Sequence, residues 1–181
     1  MTYLREQFPY HDFGTLYCDL DGVLVDFMGG AEKVLGRPFK KYGEHATATP
    51  DERLQGDIIG QNSSFWYELE PMKDCYELWN YIERYTPHVL TATPAWDDPY
   101  VIEGKKYWVQ EYLNLPLERL HIVERNEKKN FAITETFRGK YRNILIDDYE
   151  GTILEFQKAG GIGCLHLNTH ISLMLLKSFN L

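Results

Sequence analysis

Asp19-Leu20-Asp21-Gly22-Val23-Leu24-Val25-Asp26 follows directly on Thr15-Leu16-Tyr17-Cys18. The first four residues are short and mostly apolar, the composition of a buried strand. A buried strand that ends in two carboxylates needs a positive partner, because unmatched charge at an apolar strand end is costly. Asp19 and Asp21 are two residues apart, so in extended geometry both side chains share a face. Gly22 then allows a tight turn. Two carboxylates with a nearby carbonyl form a hard oxygen site suited to Mg²⁺. Beside a held phosphate, one carboxylate can also attack phosphorus. Taken alone, Asp-x-Asp-Gly is a surface turn. A calcium loop is excluded, since that loop needs its glycine sixth and a glutamate twelfth. Here Gly22 is fourth, and Val23-Leu24-Val25 occupy ligand positions.

The 181 residues suit one domain with an insert and a substantial core. A net charge of −8 argues against a large nucleic-acid surface. It leaves room for a small anionic substrate, because a metal ion and one or two lysines reverse the field locally. No run approaches the roughly 20 apolar residues of a membrane span. The start, Met1-Thr2-Tyr3-Leu4-Arg5-Glu6, lacks the pattern of a secretory leader. Cys18, Cys75 and Cys164 are scattered and odd in number, which fits reduced thiols in a cytoplasmic protein. The six histidines have no ligand spacing and read as structural or surface residues. The oligomeric state is left open, a homodimer included.

The pattern downstream is an α/β one. Phe27 to Leu35 forms a short helix stopped at Gly36-Arg37-Pro38, and another is expected from Pro50 to Ile59. Residues 27–73 have no βα rhythm and read as a small helical cap inserted after the first strand, with 1–26 and 74–181 forming the core. Cys75, Leu78, Trp79, Ile82 and Tyr85 mark an amphipathic helix. Val89-Leu90 is a strand, and a helix spans Tyr100 to Leu113. Leu120 to Val123 is the third strand, followed by a helix from Lys128 to Phe137 closed by Gly139. Asn143 to Ile146, a helix from Tyr149 to Ala159, a strand from Ile162 to Leu167 and a helix in the tail complete the series. Short apolar strands alternating with helices give a doubly wound, Rossmann-like parallel sheet of about five strands. Such sheets carry their sites at the carboxyl ends of the strands. Strand one ends in Asp19 and Asp21, strand two in Thr91, and strand four in Asp147 and Asp148.

With those residues assembled in this order, together with a lysine at 128 or 129, the chain resembles the haloacid dehalogenase superfamily of aspartate-nucleophile phosphatases. Phe65-Trp66-Tyr67-Glu68-Leu69-Glu70-Pro71, Lys106-Tyr107-Trp108-Val109 and Glu118-Arg119-Leu120-His121-Ile122-Val123 add a likeness to the 5′(3′)-deoxyribonucleotidases. That subfamily has Thr-Ser-Pro where this chain has Thr91-Ala92-Thr93-Pro94, so either one residue is inserted or Thr93 takes a phosphate contact.

The resemblance implies Asp19 as nucleophile and Asp21 as general acid and base. It implies Mg²⁺ held by Asp19, the Asp21 backbone carbonyl and Asp147, and Thr91 bonded to a phosphate oxygen. Asp148 would orient the lysine or the metal's waters. Lys128 is favoured as the catalytic lysine, because burying Phe131 and Ala132 turns it inward, with Lys129 close behind. A lysine pair is otherwise commonly a solvated face, and Lys105-Lys106 is a rival pair at a helix start. Phe65, Trp66 and Tyr67 either pack the insert on the core or stack on a base; the resemblance favours stacking for at least one, with Phe65 and Trp66 as the substrate-binding candidates. Trp96 and Asp97-Asp98 are placed near the substrate mouth. The implied substrate is a nucleoside monophosphate. The alternatives are another phosphoester, such as a sugar phosphate or polynucleotide end, or an idle binding module on the same fold.

Overall fold

The first strand, β1 (Leu16–Cys18), is buried along its whole length and lies at the centre of a parallel sheet. The computed structural model describes residues 13–40, 49–136 and 139–181. The leader reading at residues 1–6 and the helix end placed at Phe137 lie outside them, as does the middle of the insert, 41–48.

Helices α1 (Phe27–Leu35), α2 (Pro50–Gly60) and α3 (Cys75–Ile82) precede β2 (His88–Ala92). Helix α4 (Val101–Leu113) leads to β3 (Leu120–Val123). An antiparallel hairpin, β4 (Ile133–Thr136) and β5 (Gly139–Arg142), leads to β6 (Ile144–Asp147). Helix α5 (Glu150–Lys158), β7 (Ile162–Leu165) and α6 (Thr169–Ser178) end the chain. The sheet order is β3-β2-β1-β6-β7, all parallel. The chain therefore leaves β1 toward β2 on one side and returns on the other at β6. That reversal opens a crevice beyond the carboxyl end of β1, where the first acidic residue stands.

The stretch between β1 and α3 closes on itself at its base. Asp26 N–H donates to Glu70 O and Met72 N–H to Leu24 O, at 2.9 and 2.8 Å, with Val25 bridged to Pro71. Phe39, Ile59, Phe65, Trp66 and Leu69 within it join the same apolar cluster as Leu16, Ile144 and Ile146 of the sheet. Helix α1 starts on Asp26, whose carboxylate accepts the Gly29 N–H at 2.9 Å. Helix α2 starts on a capping box between Thr49 and Glu52.

The expected helix over 128–137 is corrected. A 3₁₀ segment, Arg125–Phe131, gives way to the hairpin. Ile133, Thr134 and Thr136 are β-branched, which disfavours helix and suits a pleated surface. Asn143 fixes the arrangement from below. Its side chain donates to Phe131 O (2.7 Å) and accepts the Thr15 N–H (2.7 Å), joining the 3₁₀ segment to the sheet.

Candidate active site

Asp19 follows the last residue of β1, and its N–H donates to Ile146 O, which carries the sheet pairing one step past the strand. Its Oδ1 accepts the Leu20 N–H at 2.8 Å. Gly22 takes φ +82°, and a Cβ there would lie 2.7 Å from an Asp148 oxygen. Glycine is therefore required twice, for the turn and for the approach of Asp148. Asp147 closes β6 next door, with its Oδ1 accepting the Tyr149 N–H at 2.9 Å.

Lys128 lies between the two strand ends. Its Nζ is 2.9 Å from Asp19 Oδ1 and 2.7 Å from Asp147 Oδ2, and the side chain is 2% exposed. The turn that carries Lys128 begins with Glu124 and Glu127 capping each other and ends where Asn143 grips Phe131. Lys129 points the other way, half-exposed, toward Glu155. Burial works to lower the Lys128 pKa, but the carboxylates of Asp19 and Asp147 outweigh it and hold the ammonium charged above its ordinary range. Burial, and secondly the Asp19 charge, push Asp147 upward against the pull of Lys128.

Asp21 has a different partner. Lys105, on α4, sends its Nζ to Asp21 Oδ2 (2.5 Å), Thr91 Oγ1 (2.8 Å) and Ala92 O (2.8 Å). Burial pushes the Asp21 carboxyl up, with Lys105 opposing. Asp21 Oδ1 is buried and accepts no hydrogen bond among the described residues.

These groups surround a cavity of about 170 Å³. Asp19, Asp21, Lys128, Asp147 and Asp148 line its floor, while Phe27, Met28, Phe39, Trp66 and Trp96 supply an apolar wall. Thr93 lines it, whereas Thr91 is fully buried beneath, holding Lys105. Trp66 reaches the wall with its indole N–H fixed on Asp98 at 2.7 Å. Phe65 packs against Phe27 and Trp66 and is not among the cavity residues. Arg125 also lines the cavity, its guanidinium 4.6 Å from the centre of the Tyr149 ring.

Asp19, Asp147 and Asp148 can each offer a carboxylate oxygen, all within 4.8 Å of one another. An all-oxygen set suits a hard cation. Three carboxylates beside one ammonium leave two negative charges, the charge of one divalent ion. The residues present therefore fit Mg²⁺.

The sequence motifs do not point to the contact of Lys105 with Asp21, although the helical spacing carries a signal for it. Val101, Gly104, Lys105, Trp108 and Val109 follow helical spacing on the buried face of α4.

No family model matches the chain. It is similar, at 22% identity over 117 residues, to a Vibrio phage KVP40 protein named "Putative 5'(3')-deoxyribonucleotidase". That match takes in 65% of this chain and 61% of the phage protein. The fold is similar to that of a haloacid dehalogenase-like family hydrolase from Streptococcus pneumoniae. The TM-score is 0.53 at 14% identity, covering 93% of this chain and 99% of the other.

Proposed function

The chain has the haloacid dehalogenase-like fold, and from that premise we propose that it is a phosphomonoesterase acting through an aspartyl-phosphate. The observation that carries this reading is the convergence of Asp19, Asp21, Lys128, Asp147 and Asp148 from three separate segments on one cavity. Asp19 is the nucleophile: one carboxylate oxygen bonds to phosphorus as the ester oxygen leaves. Asp21 gives that oxygen its proton, then takes one from the water that hydrolyses the aspartyl-phosphate and releases inorganic phosphate. A carboxyl that burial pushes upward is suited to carrying the proton. Lys128 screens the nucleophile and stabilises charge on the phosphoryl oxygens. Asp19, Asp147 and Asp148 would hold Mg²⁺, with the Asp21 carbonyl completing the set. A bound ion there supplies charge neutralisation and alignment of the phosphate.

The insert at 27–73 acts as a cap that excludes water and selects the leaving group. Its Phe27, Met28, Phe39 and Trp66, with Trp96, favour a nucleoside monophosphate, as does the likeness to the phage protein. The cavity of about 170 Å³ is small beside the roughly 300–1,000 Å³ of drug-sized sites. Sugar phosphates therefore belong in the same substrate panel.

Phosphate release from nucleoside and sugar monophosphates, with and without Mg²⁺, tests the reading. Asp19→Asn is expected to lower kcat by about 10³-fold or more, the scale of losing a nucleophile. Turnover retained by that variant would sink the mechanism.

A further inference from the structure

Asp21 has two oxygens in unlike surroundings. Oδ2 is bonded to an ammonium that is 1% exposed and already saturated by three acceptors. Oδ1 is buried, without a hydrogen-bond partner among the described residues, on a side chain that lines the cavity. A lone buried carboxylate oxygen is costly to leave unsatisfied, so this geometry has to be enforced by something rigid. Lys105 supplies that rigidity. It lies one turn beyond the start of α4, on the helix face that packs inward, and Gly104 beside it lets the helix close onto Trp66. A Cβ at Gly104 would lie 2.2 Å from the Trp66 Cβ, so any larger residue would lift the helix and the lysine with it. The ammonium also lies 5.1 Å from the centre of the Trp66 ring.

We propose that Lys105 is a positioning residue, one that clamps Asp21 by Oδ2 to the Thr91 hydroxyl and the Ala92 carbonyl and presents Oδ1 to the leaving oxygen. This rests on the assignment of Asp21 as acid and base made above. An ammonium has protons only to give, so Oδ2 is committed as an acceptor, and the proton that travels to the leaving alcohol is carried on Oδ1. Lys105 itself touches neither phosphate nor nucleophile in this arrangement; that work belongs to Lys128. Two buried lysines thus divide the site, one serving the acid–base residue and one serving the nucleophile.

The dependence on leaving group tests the division. A nucleoside 5′-monophosphate releases an alcohol that needs a proton, whereas p-nitrophenyl phosphate releases a stable anion that does not. kcat/KM reports the steps up to loss of the leaving group, so it isolates the protonation from the later hydrolysis. Lys105→Met is expected to lower kcat/KM for the nucleotide by about 10²-fold, the scale of a general acid's contribution, and for p-nitrophenyl phosphate by roughly tenfold less. Lys105→Gln, which keeps a donor, is expected to fall between Lys105→Met and the wild type. It also serves as the test protein if the methionine variant does not fold. In an Asp21→Asn background either substitution is expected to add little, because the clamp then has nothing to present. Equal losses on both substrates, or full additivity with Asp21→Asn, would overturn the assignment while leaving the phosphatase reading intact. A wild-type protein without turnover on p-nitrophenyl phosphate or on any nucleoside or sugar monophosphate of the panel would overturn both.

Discussion

The two ends of the central sheet bury polar groups in opposite ways. At the carboxyl ends, Asp19, Asp21 and Asp147 are kept in place by the ammonium groups of Lys128 and Lys105. At the start of β2, three residues before Thr91, His88 lies beside His121 of β3 with their rings nearly parallel and Nδ1 2.8 Å from Nε2. Tyr17 sets its edge against both rings. Here neither ring has an acidic partner among the described residues, and burial first, then the His121 and Arg119 charges, bring His88 down to about 4. Burial lowers His121 as well. Between these two places the difference follows from the cost of unmatched buried charge, which is kept where an ammonium meets the carboxylates and avoided where none does. Such meetings occur at the carboxyl ends of the strands, where the proposed chemistry needs them.

The largest way to break that contrast is to remove the cation. Lys128→Met leaves Asp19 and Asp147 facing each other inside the protein, and urea unfolding is expected to show a loss of about 3–5 kcal/mol. Adding Asp147→Asn to that variant is expected to return part of the loss. If the single variant unfolds like the wild type, the acid end owes nothing to charge pairing.

A divalent cation sharpens the same contrast from the other side. On the proposed reading Mg²⁺ would bind the folded carboxylates, and it is then expected to raise the unfolding free energy by about 2.7 kcal/mol at a hundred times its Kd. The matching rise in Tm should disappear in Asp148→Asn. A rise that survives in that variant would place the ion elsewhere.

Gly22→Ala tests whether the acid end depends on the turn as well as on charge. The φ of +82° and the nearness of Asp148 make a cost of about 1–3 kcal/mol, measured by urea unfolding, the expected outcome. Loss of phosphate release should accompany it, since Asp148 is the group displaced.

The smallest effect belongs to the neutral end. With a folded pKa near 4 and an unfolded one near 6.5, His88 takes up its proton more readily in the unfolded chain. Its contribution to stability is therefore complete above about pH 6.5 and declines as the pH falls toward 4. The urea midpoint should drop between pH 7.5 and 5.5, and His88→Gln should flatten that slope. An unchanged slope would mean that other groups set it.

How much of this was legible beforehand differs from residue to residue. Asp19 and Asp147 were readable because a run of apolar residues that stops at an acid carries its own local signature. The hairpin at 133–142 was not, because a lysine pair followed by a few apolar residues fits a helix start as well as a strand. The β-branched residues at 133, 134 and 136 were the overlooked signal. Phe65 and Trp66 read alike in sequence, yet the cavity wall takes only Trp66. Lys105 reads locally as one of two adjacent lysines, although its spacing from Val101 and Trp108 places it on an inward face.

By itself the order of residues determined the alternation of strand and helix and the placing of acids at strand ends. Those features depend on neighbours within a few positions, through periodicity and turn chemistry. Only the tertiary structure decided which ammonium meets which carboxylate. Lys105 and Asp21 are separated by 84 positions along the chain, and Lys128 and Asp147 by 19. Such partners are selected by how the sheet folds back on itself, and a local pattern carries no record of that choice.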